Sequence, residues 1–225
     1  MSPRRLETST ETATHLQHRR LTRSILLEAV DELVSRDRDL RVAVERFGPP
    51  PLWARKPGYA TLVRIILEQQ VSLASAQASF TRLQKAVTKV TPERVRALSL
   101  TEIRTLGITR QKAEYCWGLA RTICDGELNL SQVSRADESV ARETLVRVRG
   151  IGSWSADIYL LMALCRPNVW PDGDIALAES ARRLKRLRTR PSFERLRRIA
   201  NAWEPWRAVA ARILWHTYLA ERQAR

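Results

Sequence analysis

The apolar residues of this chain recur at helical intervals, and nowhere do they alternate with period two over the length of a strand. Ile25, Leu26, Val30, Leu33 and Val34 mark one amphipathic face. Leu40, Val44 and Phe47 mark a shorter one that Pro49-Pro50-Pro51 is expected to end. Leu62, Ile65, Ile66 and Gln69 suit a buried helix from Tyr59 to Gln69, and Ser72 offers an N-cap for a longer helix reaching about Val87. Thr91-Pro92-Glu93 opens another short helix. The turn Leu106-Gly107-Ile108-Thr109 leads into one from Arg110 to Asp125 that Gly126 stops, and the last runs from Trp206 to Tyr218. With only 8 glycines in 225 residues, turns are few. The prediction is an all-α fold of two lobes with a cleft between them, where ligands usually bind. One lobe draws on residues of about 60–170, and the other joins the N-terminal helices to those after Asp174. Residues 1–21 are polar and lack an apolar stripe, so they read as a mobile tail ahead of a helical domain over 22–225.

The sharpest local signal is the hairpin Gly150-Ile151-Gly152, expected to join two helices over residues 137–165. Asp137 caps the first, and Ser153 caps a second that continues through Cys165. A glycine on each side of one apolar residue permits positive φ and lets a phosphate approach the amides with no Cβ in the way. The start of the second helix favours an anion at the same spot. Gly150, Ile151, Gly152, Ser153 and the preceding Arg149 are therefore candidate DNA contacts that position a backbone without reading sequence. An ordinary αα-hairpin, with Gly150 ending one helix and Gly152 easing the turn, is the competing reading of the glycines alone.

Charge supports a polyanionic partner: 39 basic against 24 acidic residues give a net charge of +15. After Asp174 the chain carries 13 Lys and Arg against 4 acids. The run Arg182, Arg183, Lys185, Arg186, Arg188 and Arg190 is the densest and is expected to flank the DNA path. Cys116, Cys124 and Cys165 are too few and too scattered for a four-cysteine cluster or a paired zinc site, and they read as buried thiols; neither a metal nor a cofactor is expected. With no apolar leader region and no run of 18 apolar residues, the expectation is an intracellular, monomeric protein without a membrane partner.

Three blocks resemble the helix-hairpin-helix DNA glycosylase superfamily, and within it the 3-methyladenine DNA glycosylase II family. They are FGPPPLWARKPGYATLVRIILEQQVSLASA from Phe47, LGITRQKAEYCWGLARTICDGEL from Leu106, and VRVRGIGSWSADIYLLMALCRPNVWPDGDIAL from Val146. The likeness extends from about Asp39 to Leu219. It implies base excision repair of double-stranded DNA, by hydrolysis of the N-glycosidic bond of a damaged base flipped out of the duplex. By position Asp174 matches the catalytic aspartate, whose carboxylate would stabilise an oxocarbenium-like sugar. Asp172 is the competing candidate, and capping of the following helix is the structural alternative for both. Trp154 stands where lyase-competent relatives carry a Schiff-base lysine, which implies a monofunctional enzyme. Trp154 and Trp215 match aromatic walls of a base pocket suited to cationic alkylated purines such as 3-methyladenine and 7-methylguanine. Ile158 stands in that pocket where some relatives have an aromatic, and Asp157 puts a carboxylate where a neutral polar residue is usual. Gln70 matches the wedge that fills the gap left by the flipped nucleotide, a place often taken by an apolar side chain. The alternatives are a noncatalytic helix-hairpin-helix DNA-binding protein, a glycosylase for neutral bases such as hypoxanthine or uracil, and, least favoured, a helix-turn-helix regulator.

Overall fold

Helices carry the whole architecture of the computed structural model, which describes residues 20–223 and has no strand among them. The chain divides into two units. One takes the chain up to Ala54 and again from Leu164, and the other holds Arg55–Ala163. The expected tail falls outside the described residues except for Arg20 and Leu21. Leu21 is core: it is 2% exposed, and its N–H donates to Cys165 O at 2.8 Å.

The first unit contains α1 (Arg23–Arg36), α2 (Arg38–Phe47), and three helices from the end of the chain. Gly48, at φ +78°, ends α2 before the three prolines are reached. The later helices are Ile175–Leu184, Phe193–Asn201 and Arg207–Gln223, numbered α11, α12 and α13 below. Helix α13 packs on α1, α2, α11 and α12, and Ala208–Trp215 is buried on every side, as a central helix must be. Fully buried Arg212 uses its guanidinium to tie Leu52 O and Ala208 O, each at 2.9 Å. Burial holds its pKa down to about 10.

The second unit runs through α3 (Tyr59–Glu68), α4 (Leu73–Val87), α5 (Pro92–Arg96), α6 (Leu100–Thr105), α7 (Arg110–Cys124), α8 (Leu130–Arg135), α9 (Glu138–Val146) and α10 (Ser153–Ile158). Helix α3 buries Leu62, Val63, Ile65, Ile66 and Leu67 against α4, α7 and α10. Truncating any one of these to alanine is a change that typically costs about 2–5 kcal/mol. Ser72 and Thr91 cap α4 and α5 as their positions predict. The sequence reading missed α6 and α8, whose caps were in plain view: Ser99 and Glu102 form a reciprocal capping box, and Asn129 caps α8. Past α10 the helix widens into a π turn, Tyr159–Ala163, and regular structure stops there rather than reaching Cys165. Cys116 and Cys165 are buried, whereas Cys124 is half-buried.

Candidate functional site

The hairpin lies between α9 and α10, with Asp137 at the N-cap position of α9. Gly150 takes φ +95°, and a Cβ built there would come within 2.3 Å of Tyr115 Cγ on α7. Conformation and space both exclude any other residue. From the C-terminal end of α3, Gln69 Nε2 donates to Gly150 O and to Ser155 Oγ, each at 2.9 Å. Lys112 Nζ fastens that same end by donating to Leu67 O and Gln69 O, each at 2.7 Å, and burial lowers its pKa. Asp157, 3% exposed, accepts from Arg142 Nε at 2.6 Å, and Arg142 also reaches Glu138 at 3.0 Å. That pair braces α9 against α10 and gives the unusual carboxylate a structural role.

Two expectations for the hairpin are corrected. Gly152, with an ordinary φ of −84°, is the N-cap of α10; Ser153 is its first helical residue, and no side chain caps this helix. Ile151 does not turn its amide outward: its N–H donates to Val148 O at 3.0 Å, and its side chain is 3% exposed. The isoleucine anchors the turn in the core, while Gly152 and Ser153 are exposed beside it. Arg149 is also exposed, 3.6 Å from Glu114 and above the Tyr115 ring. Trp154 is half-buried in the first turn of α10. Ile158, at 2% exposure, is packed in the core. Gln70 is exposed and held at φ +55°, a left-handed conformation uncommon for glutamine that turns the chain immediately after α3.

In the other unit the turn Pro171-Asp172-Gly173-Asp174 leads into α11. Asp174 is its N-cap: Oδ1 accepts from Leu177 N at 2.9 Å and from Trp215 Nε1 at 3.3 Å. The structure thus brings together two residues that lie 41 positions apart. The backbone bond sets the height of the carboxylate, and the indole of α13 sets its rotation. Trp215 is 9% exposed. Asp172 is held differently, in an ion pair with Arg197 of α12, while its buried Oδ1 has no hydrogen-bond partner among the described residues. Capping is therefore met by Asp174 alone.

The basic run splits in two. Arg182 and Arg183 pair with Glu179, each at 2.9 Å, and Arg183 also reaches Glu221 at 2.8 Å. Arg182, with Arg183, holds the Glu179 carboxyl down at about 2. Lys185 pairs with Asp37 at 2.8 Å and with Asp39 at 2.9 Å. Arg186, Arg188 and Arg190 are exposed. Among the described residues, no three His, Cys, Asp or Glu side chains are placed to hold a metal, and no helix is long and apolar enough to cross a membrane.

Comparison with known proteins places this geometry. The family model for HhH-GPD superfamily base excision DNA repair proteins matches residues 63–206, from inside α3 to the residue before α13. The chain belongs to that superfamily. This HhH-GPD protein is 29% identical over 187 residues to a putative DNA-3-methyladenine glycosylase of Bacillus subtilis, a match covering 79% of this chain and 65% of the relative. It is 30% identical over 123 residues to another DNA-3-methyladenine glycosylase of that organism, covering 55% of this chain and 41% of the relative. The matches therefore span less than two thirds of either relative. The structure of a Schizosaccharomyces pombe 3-methyladenine DNA glycosylase in complex with abasic DNA superposes with a TM-score of 0.77 at 25% identity, covering 84% of this HhH-GPD chain and 95% of the other.

Proposed function

We propose that the protein is a monofunctional DNA glycosylase that releases alkylated purines, 3-methyladenine and 7-methylguanine, from double-stranded DNA. The observation that carries this reading is Asp174, a carboxylate fixed by one backbone N–H and one indole N–H at the start of α11. In the reaction the N-glycosidic bond breaks and its electron pair leaves with the base. A purine already cationic from alkylation departs neutral, without a general acid. The positive charge that grows on the sugar is stabilised by the Asp174 carboxylate. Water then adds to C1′ and gives up a proton, leaving an abasic site in an unbroken strand. Trp154 offers no amine for a Schiff base, so no strand cleavage follows.

Binding is assigned to the hairpin, with Gly152, Ser153 and Arg149 against the phosphate backbone and Ile151 holding the turn in place. Gln70, exposed and strained after α3, is the candidate for the gap left by the flipped nucleotide. Trp154 and Trp215 supply indole surface that attracts a cationic base. Ile158, at 2% exposure, contributes only as core packing.

The test is an excision assay on duplexes carrying 3-methyladenine, 7-methylguanine, hypoxanthine or uracil, with mass detection of the free base and a gel for strand breaks. The expected result is release of the methylated purines from intact strands, reduced by Trp215→Ala. Release of only the neutral bases would overturn the pocket assignment and keep the glycosylase. DNA binding with no release from any duplex would overturn the enzyme in favour of a noncatalytic DNA-binding protein.

A further inference from the structure

We propose that Arg186, Arg188 and Arg190, on the loop between α11 and α12, form a second edge that grips the DNA phosphate backbone, on a different unit from the hairpin. The inference rests on the DNA-binding reading above. Its first support is the division of the basic run. Arg182, Arg183 and Lys185 spend their charge on Glu179, Glu221, Asp37 and Asp39. The three arginines that follow are exposed, and among the described residues their side chains have neither an ion pair nor a hydrogen bond. Packing does not require their charge, and no acid among the described residues pairs with it.

The second support is the backbone. Helix α11 ends in a Schellman motif: Leu187 N–H donates to Arg182 O at 2.8 Å, and Arg186 N–H donates to Arg183 O at 3.1 Å. The residue at the left-handed position of this motif is Arg186, at φ +52°. Glycine is the usual occupant because any Cβ is strained there. An exposed arginine whose side chain has no hydrogen bond or ion pair among the described residues, in a place where glycine folds better, is what a binding residue held at the expense of stability looks like. Cations are also favoured near a helix C-terminus, but that preference is met by lysine or arginine anywhere in the last turn, and Arg182, Arg183 and Lys185 already stand there.

Position supplies the third support. Helix α11 has 10 residues, so the loop lies about 15 Å along the helix from Asp174. A duplex carries one charge per roughly 1.7 Å of its axis, so phosphates several nucleotides from a base held at Asp174 fall within that span. Pro191 and the Ser192 cap of α12 close the loop on its far side, so the three arginines fall within five residues of one short connection.

The experiment measures affinity for an abasic-analogue duplex across a salt series. Its subjects are the wild type, Arg186→Gln/Arg188→Gln/Arg190→Gln, and a control that removes equal charge from exposed arginines elsewhere, Arg23→Gln/Arg104→Gln/Arg135→Gln. The loop variant is expected to lower the slope of log affinity against log salt by about 2 to 3, close to one per phosphate contact, with the control changing it far less. Arg186→Gly alone is expected to weaken binding while its thermal midpoint stays at or above that of the wild type. An unchanged slope, or one that falls no more than in the control, overturns the proposal, and so does a lower midpoint for Arg186→Gly. If the loop variant matches a wild type that binds with a steep slope and releases bases, only the loop inference falls. If the wild type itself binds DNA without salt dependence, the DNA reading falls with it.

Discussion

Two helix starts in this protein use the same device in opposite ways. Helix α10, after the hairpin, begins at Gly152 with no side-chain cap hydrogen bond, whereas α11 begins at Asp174, whose own carboxylate accepts from Leu177 N at 2.9 Å. Both present the positive end of a helix dipole. The uncapped one leaves room for an anion that comes from outside, such as a phosphate. The capped one is already occupied by its own carboxylate, the group proposed above to act on the sugar. A single glycine-to-aspartate difference thus separates the helix start proposed to bind phosphate from the one proposed to carry the reacting carboxylate. Asp37 at the start of α2 is a third case. Its carboxylate accepts from Asp39 N and Leu40 N and also from Lys185 and Trp203, so it is wholly committed to the fold.

The sharpest way to break this comparison is to take the charge from Asp174 and keep the cap. Asp174→Asn preserves an acceptor for Leu177 N, and asparagine caps as well as aspartate. Thermal stability should therefore barely move. Base release should fall on the order of a hundred- to a thousandfold, about 3–4 kcal/mol in the barrier, with binding to an abasic-analogue duplex retained. Single-turnover kinetics beside a thermal melt read both quantities. Near wild-type release by this variant, with loss in Asp172→Asn, would transfer the role to Asp172.

The hairpin can be taken apart in the same spirit. Gly150→Val meets both a φ of +95° and the Tyr115 ring, so it should cost roughly 2–5 kcal/mol of stability in a denaturant titration. Gly152→Asp meets nothing within 4 Å and has an ordinary φ, and it rebuilds the α10 start in the image of α11. The fold should hold or gain slightly. Affinity for every duplex should fall roughly ten- to a hundredfold, irrespective of sequence, because charge-assisted bonds of about 1.5–3 kcal/mol are lost. Undiminished affinity in Gly152→Asp would show that phosphate does not sit at this helix start.

The smallest effect concerns Asp37. Burial alone would raise its pKa, but the hydrogen bonds from Lys185 and Trp203 prevail and hold it below the ordinary carboxylate value. A carboxyl lowered in the folded state adds stability that is fully present above its unfolded pKa, about 3.9, and is lost as pH falls through the folded value. Melting midpoints taken from pH 5 downward should drop in the wild type and drop less steeply in Asp37→Asn. Parallel curves would show that Asp37 does not contribute to acid sensitivity.

Much of this protein is determined by its sequence alone, because helices are local. The period of apolar residues is enough for α1, α2 and α3, the turn before Arg110 and the glycine after Asp125 bound α7, and side chains within three residues of a helix start place the caps at Ser72 and Thr91. The same local chemistry spelled out α6 through Ser99 and Glu102, and that box went unread. Gly150 could be picked out because a turn between helices has few spellings. Tertiary structure alone decided what each of these residues faces. Nothing near Gly150 in the chain announces that Tyr115 lies against it or that Gln69 ties it down, and nothing near Asp174 announces an indole 41 positions later. Likewise, the run from Arg182 to Arg190 reads as one charge block until the fold brings up Glu221, Asp37 and Asp39, which neutralise its first half and leave the second half bare. The physical reason is the same each time: backbone hydrogen bonds and caps act over about four residues, whereas packing and charge pairing act over a few ångströms of space whatever the separation along the chain.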